Sequence, residues 1–302
     1  MATPSLGQRI LVPFDGSALS AQAFALALGL AQPNAALTIF HVDDGQAHGV
    51  RSEIDSISAK LQSRAAEGER IEAAIERGKA ADGIIAEADR LGADLIVMST
   101  RGRGGLARMA LGSVTNEVIQ RSHRSVAVIH SDRSDHDTAV GEADHAPLQF
   151  GRIILPLDGS AVSSAALPVA SALAGRFRIP VFVVSTVNLV PLTSPTMVQD
   201  IGMAMNMEEV YEETRDSARE WLSDASRRLE ADGVTSSTEF LTGSPAQAIE
   251  GLTKPGDLIV MATHGRTGFD RVLSGSVSDQ LIRSGAAPVL VVRSEDVPAT
   301  GS

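Results

Sequence analysis

Short runs of consecutive apolar residues alternate along this chain with longer segments in which apolar residues recur every three or four positions. Uninterrupted apolar runs are typical of parallel strands buried on both faces, and the three-to-four spacing is typical of amphipathic helices. In the first half, strands are predicted at Ile10–Pro13, Leu37–Val42, Ile71–Glu76, Leu95–Ser99 and Val126–His130. Helices are predicted near Ala18–Ala31, Glu53–Glu67, Lys79–Leu91 and Ser113–Ser122. This alternation predicts an α/β fold with an open, doubly wound parallel sheet. The third strand alternates apolar and polar residues, as an edge strand would.

The second half of the chain repeats the first. Residues 9–17 (RILVPFDGS) recur as residues 152–160 (RIILPLDGS), an offset of 143 residues from Arg9 to Arg152. Residues 94–102 (DLIVMSTRG) recur as residues 257–265 (DLIVMATHG), an offset of 163 residues from Asp94 to Asp257. The second copy therefore carries a net insertion of 20 residues, since 163 − 143 = 20.

The repeat predicts two domains, at residues 1–131 and 150–302, because the polar and acidic stretch between them, residues 132–149, has no apolar period. The insertion in the second copy brings a group of methionines and a following helix near Glu208–Leu229. Methionines in such a group form either an adaptable binding surface or the core beneath a long loop. They are Met197, Met203, Met205 and Met207.

Composition narrows the function classes. The 302 residues include no cysteine, which excludes disulfides, thiolate metal sites and cysteine nucleophiles. The formal charge of −11 and an aromatic content of 3% argue against nucleic-acid binding. No stretch of 18 consecutive apolar residues predicts a membrane span, and a cytoplasmic location is the simplest expectation.

The loop after the fourth strand has the same spacing in both copies. Gly102 is followed by nine residues and then Gly112-Ser113, and Gly265 by nine residues and then Gly275-Ser276. Each Gly-Ser pair begins a helix, whose first amides and dipole favour an anion such as phosphate. A purely structural role, in which the glycine and serine cap the helix, is the alternative. The candidate ligand-binding residues of the two loops are Ser99, Gly102, Arg103, Gly112, Ser113, Val114 and Thr115, and Ala262, Gly265, Arg266, Gly275, Ser276, Val277 and Ser278.

An aspartate follows the first strand of each copy. Pro13 and Asp15 stand there in copy one, and Pro156 and Asp158 in copy two. Ligands of open α/β sheets bind beyond the carboxyl ends of strands, where the strand order reverses. These carboxylates are therefore candidates to accept hydrogen bonds from ribose hydroxyls or to help hold magnesium. An Asp-Gly-Ser turn that caps the next helix is the compatible alternative.

Each copy, over its whole length, resembles a universal stress protein domain. The nucleotide signature of that family is Gly-x2-Gly-x9-Gly-Ser/Thr, and Ser99 and Ala262 stand in this chain where the signature has its first glycine. The resemblance implies a Rossmann-like sheet of order 3-2-1-4-5 with ATP, or AMP or ADP, between strands one and four. It also implies adenine contacts from the backbone of Val42, which follows His41, with Val187 as its counterpart. Pairing of the two domains through their fifth strands is implied as well, so that one chain forms a pseudo-dimer and a further homodimer is an open expectation.

Three functions remain open from the sequence. The favoured one is a nucleotide-binding stress or regulatory module, with no catalytic residues. A slow ATP hydrolase or phosphotransfer enzyme is less favoured, because neither loop contains a lysine. A structural module whose loops bind nothing is the third.

Overall fold

A computed structural model of the chain describes residues 6–43, 50–63, 68–100, 111–130, 146–187, 207–263 and 277–293, without the side chains of residues 207–211. The strands are β1 (Arg9–Pro13), β2 (Ala36–Asp43), β3 (Arg70–Arg77), β4 (Leu95–Ser99), β5 (Ser125–Ile129), β6 (Arg152–Pro156), β7 (Val181–Val187), β8 (Ser236–Thr242), β9 (Asp257–Thr263) and β10 (Val289–Arg293). The helices are α1 (Ala18–Leu30), α2 (Val50–Gln62), α3 (Ala80–Leu91), α4 (Ser113–Arg121), α5 (Ala161–Ser164), α6 (Leu167–Phe177), α7 (Met207–Ala231), α8 (Pro245–Leu252) and α9 (Val277–Ser284).

The strands form one sheet of ten, in the order β3-β2-β1-β4-β5-β10-β9-β6-β7-β8. Each half has the predicted order 3-2-1-4-5, and its neighbouring strands are parallel. The two five-stranded sheets are continuous rather than separate, because β5 and β10 pair antiparallel, with Ala127 opposite Leu290. The fifth strands therefore join the two copies, and β3 lies at one end of the sheet as its alternation predicts.

Two apolar layers sandwich the central strands. Ile10 and Val12 of β1 face a layer formed with α1, α2, α6 and α7. Leu11 faces the opposite layer, with α3, α4, α8 and α9. Each layer is continuous across both copies, so the central strands of the sheet are covered on both faces. Of the helices in the described ranges, none has the length and apolarity needed to cross a membrane.

The second helix differs from its prediction, near residues 53–67. It begins at Val50 and ends at Gln62, because Val50 is buried and extends the helical spacing that continues through Ile54, Ile57 and Leu61. Residues 64–67 lie outside the described residues, as do Met197, Met203 and Met205. Met207 begins α7, which covers the helix predicted near residues 208–229.

Candidate functional site

The strand order reverses between β1 and β4 in copy one and between β6 and β9 in copy two. β1 pairs with β4, while the chain leaves β1 towards β2 on one side and leaves β4 towards β5 on the other. The connections thus diverge at the carboxyl ends of these two strands, which opens a crevice there. The segment Pro13–Asp15 and the end of β4 at Ser99 lie on this edge in copy one.

The aspartate after β1 organises a tight turn. The Asp15 carboxylate accepts hydrogen bonds from the backbone amide of Ser17, at 3.0 Å, and from its hydroxyl, at 2.6 Å. Ser17 in turn caps α1 by accepting from the amide of Ser20 at 3.1 Å. Gly16, between them, has a φ of 84°, a left-handed conformation that glycine adopts without strain.

Copy two builds the same turn. The Ser160 amide donates to the Asp158 carboxylate at 2.9 Å, and the Ser160 hydroxyl caps α5 by accepting from the amide of Ser163 at 3.0 Å. The predicted Asp-Gly-Ser turn is therefore present in both copies. It fixes each carboxylate at the crevice, so the capping and ligand-binding interpretations are compatible.

The turn in copy two favours an ionised aspartate. Partial desolvation opposes ionisation of Asp158, but hydrogen bonds from the hydroxyls of Ser160 and Ser163 and from the Ser160 amide outweigh it and lower the pKa. The side chain is a carboxylate at neutral pH, which accepts hydrogen bonds and donates none.

Of the Gly-Ser pair at the start of α4, the glycine and not the serine is the cap. The cap residue is Gly112, and Ser113 is the first helical residue. The Gly112 amide donates to the Thr100 carbonyl at 2.7 Å, which holds the glycine in an extended conformation. A Cβ at Gly112 would stand 2.8 Å from that oxygen, so a side chain does not fit. The cap therefore has no side chain to accept from the first-turn amides, an arrangement that suits an external anion.

The first turn of α4 is tied to the end of β4. The Thr115 hydroxyl donates to the Ser99 carbonyl at 2.9 Å, and both residues are buried. Thr115 can therefore offer a ligand its backbone amide, while its hydroxyl holds the helix in place. Val114 lies in the same turn, next to Ser113.

In copy two, the structure describes only the residues at the two ends of the corresponding loop. Ala262 lies in β9 opposite Val292, as Ser99 lies in β4 opposite Ile129, so these two positions match. Val277 begins α9, and Ser278 is buried like Thr115. The remaining candidates lie outside the described residues; they are Gly102, Arg103, Gly265, Arg266, Gly275 and Ser276.

The register of the second strands corrects one predicted equivalence. Phe40 pairs with Pro13, and Val184 pairs with Pro156. Counting from these pairs, Val42 matches Thr186, whereas Val187 matches Asp43 in copy one. The shift of one residue arises because β7 has no histidine to mark the position.

His41 is a supporting residue that the sequence reasoning did not assign. Its side chain is buried, and its Nδ1 lies 2.8 Å from the carbonyl oxygen of Phe14, the residue before Asp15. Phe14 also donates its amide to the Phe40 carbonyl at 2.8 Å. His41 therefore holds the backbone that presents Asp15. The register places Ser185 at this position in copy two, and the only signal in the sequence was the His-Val pair itself.

No group of three or more metal-ligating side chains occurs in the part of the chain that the structure describes. The aspartate turns thus offer a magnesium ion one protein carboxylate each. A bound magnesium ion would take its other ligands from phosphate oxygens and water, which is its usual preference.

Known proteins resemble the chain across both copies. The model of the universal stress protein family matches residues 7–130 and 149–293. A universal stress protein of Mycobacterium tuberculosis is 32% identical over 204 residues, which are 67% of this chain and 62% of that protein, so the match spans less than two thirds of the relative. One from Methanocaldococcus jannaschii is 34% identical over 146 residues, 48% of this chain and 82% of that one.

A solved structure shares the fold over nearly the whole chain. The crystal structure of a universal stress protein from Archaeoglobus fulgidus superposes with a TM-score of 0.66 at 18% identity, and covers 95% of this chain and 97% of its own. With the family model matched over both repeats, the chain belongs to the universal stress protein family.

Proposed function

We propose that this chain is a tandem regulatory module that binds ATP at the β1/β4 crevice and at its β6/β9 counterpart. The observation that carries the proposal is the pairing, at one sheet edge, of a carboxylate-bearing turn with a helix start that has no side-chain cap. Asp15 and Gly112 provide this pair in copy one, and Asp158 repeats the turn in copy two. The carboxylate favours hydrogen-bond donors such as ribose hydroxyls, whereas the helix start favours anions such as phosphate. A nucleotide carries both kinds of group.

The phosphates fit the positive end of α4. The amides of Ser113, Val114 and Thr115 are the first of the helix, and such amides have no partner within the helix itself. The helix dipole adds to the attraction of these amides for an anion. In copy two, the proposed counterpart is the start of α9 with Gly275 and Ser276.

The ribose and the base fit the other side of the crevice. An ionised aspartate accepts hydrogen bonds from the two ribose hydroxyls, and a phosphate would be repelled from it. We place the adenine against the backbone of Val42 in copy one. In copy two the matching position is Thr186, and Val187 lies one residue further along β7.

Binding, rather than turnover, is the function that these residues support. Neither loop contains the lysine of a phosphate-transfer site, and each crevice aspartate is held in a helix-capping turn. Hydrolysis, if it occurs, would be slow and incidental to regulation. We place the protein in the cytoplasm.

The proposal is tested by heat-denaturing the purified chain and analysing the released nucleotide by absorbance and chromatography. We expect adenine nucleotide at up to two per chain, and chromatography distinguishes ATP from ADP and AMP. The proposal fails if nothing is released and calorimetric titration with ATP and Mg²⁺ gives no heat of binding.

Two matched variants test the placement of the phosphates. Gly102→Glu and Gly265→Glu each add a negative side chain at the first retained glycine of one loop, and each should abolish one binding event. A titration that still shows two sites in the double variant would contradict this placement. The single variants serve as controls for each other, because each leaves the residues of the other copy unchanged and should retain one binding event.

A further inference from the structure

The two copies contact one another where the phosphate-binding helices end. β5 and β10 pair across the junction, with Val126 opposite Val291, and both residues are fully buried. The carboxyl end of β10 therefore lies beside copy one. The last residue of that strand is Arg293, which is only 3% exposed.

Arg293 contacts an element of each proposed nucleotide site. One guanidinium nitrogen donates to the Thr263 hydroxyl at 3.2 Å, within copy two, and Thr263 is the last residue of β9 before the loop. The other terminal nitrogen donates to the carbonyl of Ile119 in copy one. Ile119 lies in the last turn of α4, where carbonyls have no partner within the helix and a cation is favoured by the dipole.

The matching residue of copy one makes a related but weaker link. His130 places its Nδ1 3.5 Å from the hydroxyl of Thr100, whose carbonyl accepts from the cap residue Gly112. Its ring lies against Gly285, directly after α9, where an added Cβ would come within 2.5 Å of the ring. In each copy, the residue at the end of the fifth strand thus contacts a threonine of its own copy and the C-terminal end of a helix in the other copy.

We infer that Arg293 is a positioning residue shared by the two nucleotide sites, so that ATP bound at one site strengthens binding at the other. The inference rests on the proposed function. The guanidinium is buried. If α4 and the end of β9 moved apart, it would lose a hydrogen bond to one of them, and such a loss at a buried cation destabilises the fold. A ligand that stabilises this arrangement at one site lowers the cost of adopting it at the other.

The experiment is calorimetric titration of the full chain with ATP and Mg²⁺ in a set of variants. We expect Gly265→Glu, which blocks copy two, to weaken binding at copy one by about five-fold or more, the lower end of usual coupling between sites. Because coupling is reciprocal at equilibrium, Gly102→Glu should weaken binding at copy two by the same factor. Unchanged affinity at the remaining site in both variants would overturn the inference.

Arg293→Gln should remove the coupling, so that blocking copy two then changes affinity at copy one by less than about two-fold, below the range usual for coupled sites. Thr263→Val removes only the hydroxyl contact and should reduce the coupling, and it decides the question if Arg293→Gln does not fold. The matched control is Arg227→Gln on α7, where the side chain is 71% exposed, and coupling should persist there. Loss of coupling in the control would overturn the assignment to Arg293.

The outcomes separate the two proposals. If the intact chain binds no ATP, the proposed function itself fails. If it binds two ATP molecules and Gly265→Glu leaves the affinity of copy one unchanged, the nucleotide sites stand and the shared role of Arg293 is overturned.

Discussion

Gly112→Ala tests whether the start of α4 depends on the close approach of two backbone segments. The added Cβ would stand 2.8 Å from the Thr100 carbonyl oxygen and 3.7 Å from the Thr115 hydroxyl oxygen. The nearer atom belongs to the backbone and already accepts the Gly112 amide at 2.7 Å, so it cannot rotate away. The start of the helix must therefore shift by several tenths of an ångström.

The expected cost follows from this contact. Overpacking of this kind costs about 1–3 kcal/mol. The φ of −57° at Gly112 is acceptable for alanine, so the smaller unfolded-state entropy returns about 0.4–1 kcal/mol. The middle values of these two ranges combine to an expected net loss of about 1.3 kcal/mol in the free energy of unfolding.

The same shift should weaken phosphate binding at copy one. Loss of one hydrogen bond to a charged group costs about 1.5–3 kcal/mol, which corresponds to roughly ten- to a hundred-fold in affinity. Urea denaturation measures the stability, and calorimetric titration with ATP measures the binding. The affinity of copy two for ATP should change by no more than the factor that Gly102→Glu produces through the coupling between the sites.

Gly251→Ala is the matched control, because Gly251 lies in α8 with no atom within 4 Å of an added Cβ. This variant should be more stable than the parent by about 0.5–1 kcal/mol, the usual gain for alanine in a helix. If Gly112→Ala is as stable as the parent and binds ATP with unchanged affinity, the close approach of the backbone does not explain why this position is a glycine.

Two further predictions concern the aspartate turns. His41→Ala leaves the Phe14 carbonyl without its side-chain donor, so we expect a loss of about 1–3 kcal/mol in urea denaturation and weaker ATP binding at copy one. Unchanged ATP affinity at copy one would show that His41 does not position Asp15. Asp158→Asn should lower the free energy of unfolding at neutral pH and have less effect in acid. Because the folded state lowers the pKa of Asp158, the carboxylate stabilises the fold above its ordinary pKa of 3.8. That stabilisation disappears as the pH falls through the lower folded-state pKa. Thermal unfolding between pH 7 and pH 3 checks the sign, and a difference that grows in acid would contradict it.

Apolar patterning predicts the elements of this fold well, because its central strands are buried on both faces. The runs at β1, β4 and β5 are continuous for that reason, and the repeat carries the same assignment into copy two. Periodicity alone does not specify the order of the strands; the resemblance to the family supplied it, and the structure confirms it in each half. The continuous ten-stranded sheet depends on a contact between β5 and β10, which lie far apart in the chain.

The sequence marks the candidate site residues but not the residues that support them. The aspartates and glycines are marked by motifs at short range, so they are visible in the sequence. Arg293 acts through a carbonyl 174 positions away, and no local pattern records such a contact. The misassignment of Val187 has a similar cause, since only hydrogen-bonded register aligns β7 with β2 once the histidine is absent.

The antiparallel junction also limits how far the sheet can grow. In a single copy, β5 would be an apolar edge strand. The backbone groups of Val126, Ala127 and Val128 would be unpaired and available to a strand of another molecule. In the tandem chain these groups pair with β10, and β3 and β8 are the outer strands of the sheet within the described residues. β3 carries exposed Arg70 and Glu72, charges of the kind that discourage strand addition. The tandem arrangement thus places inside one chain a strand edge that would otherwise be open to association.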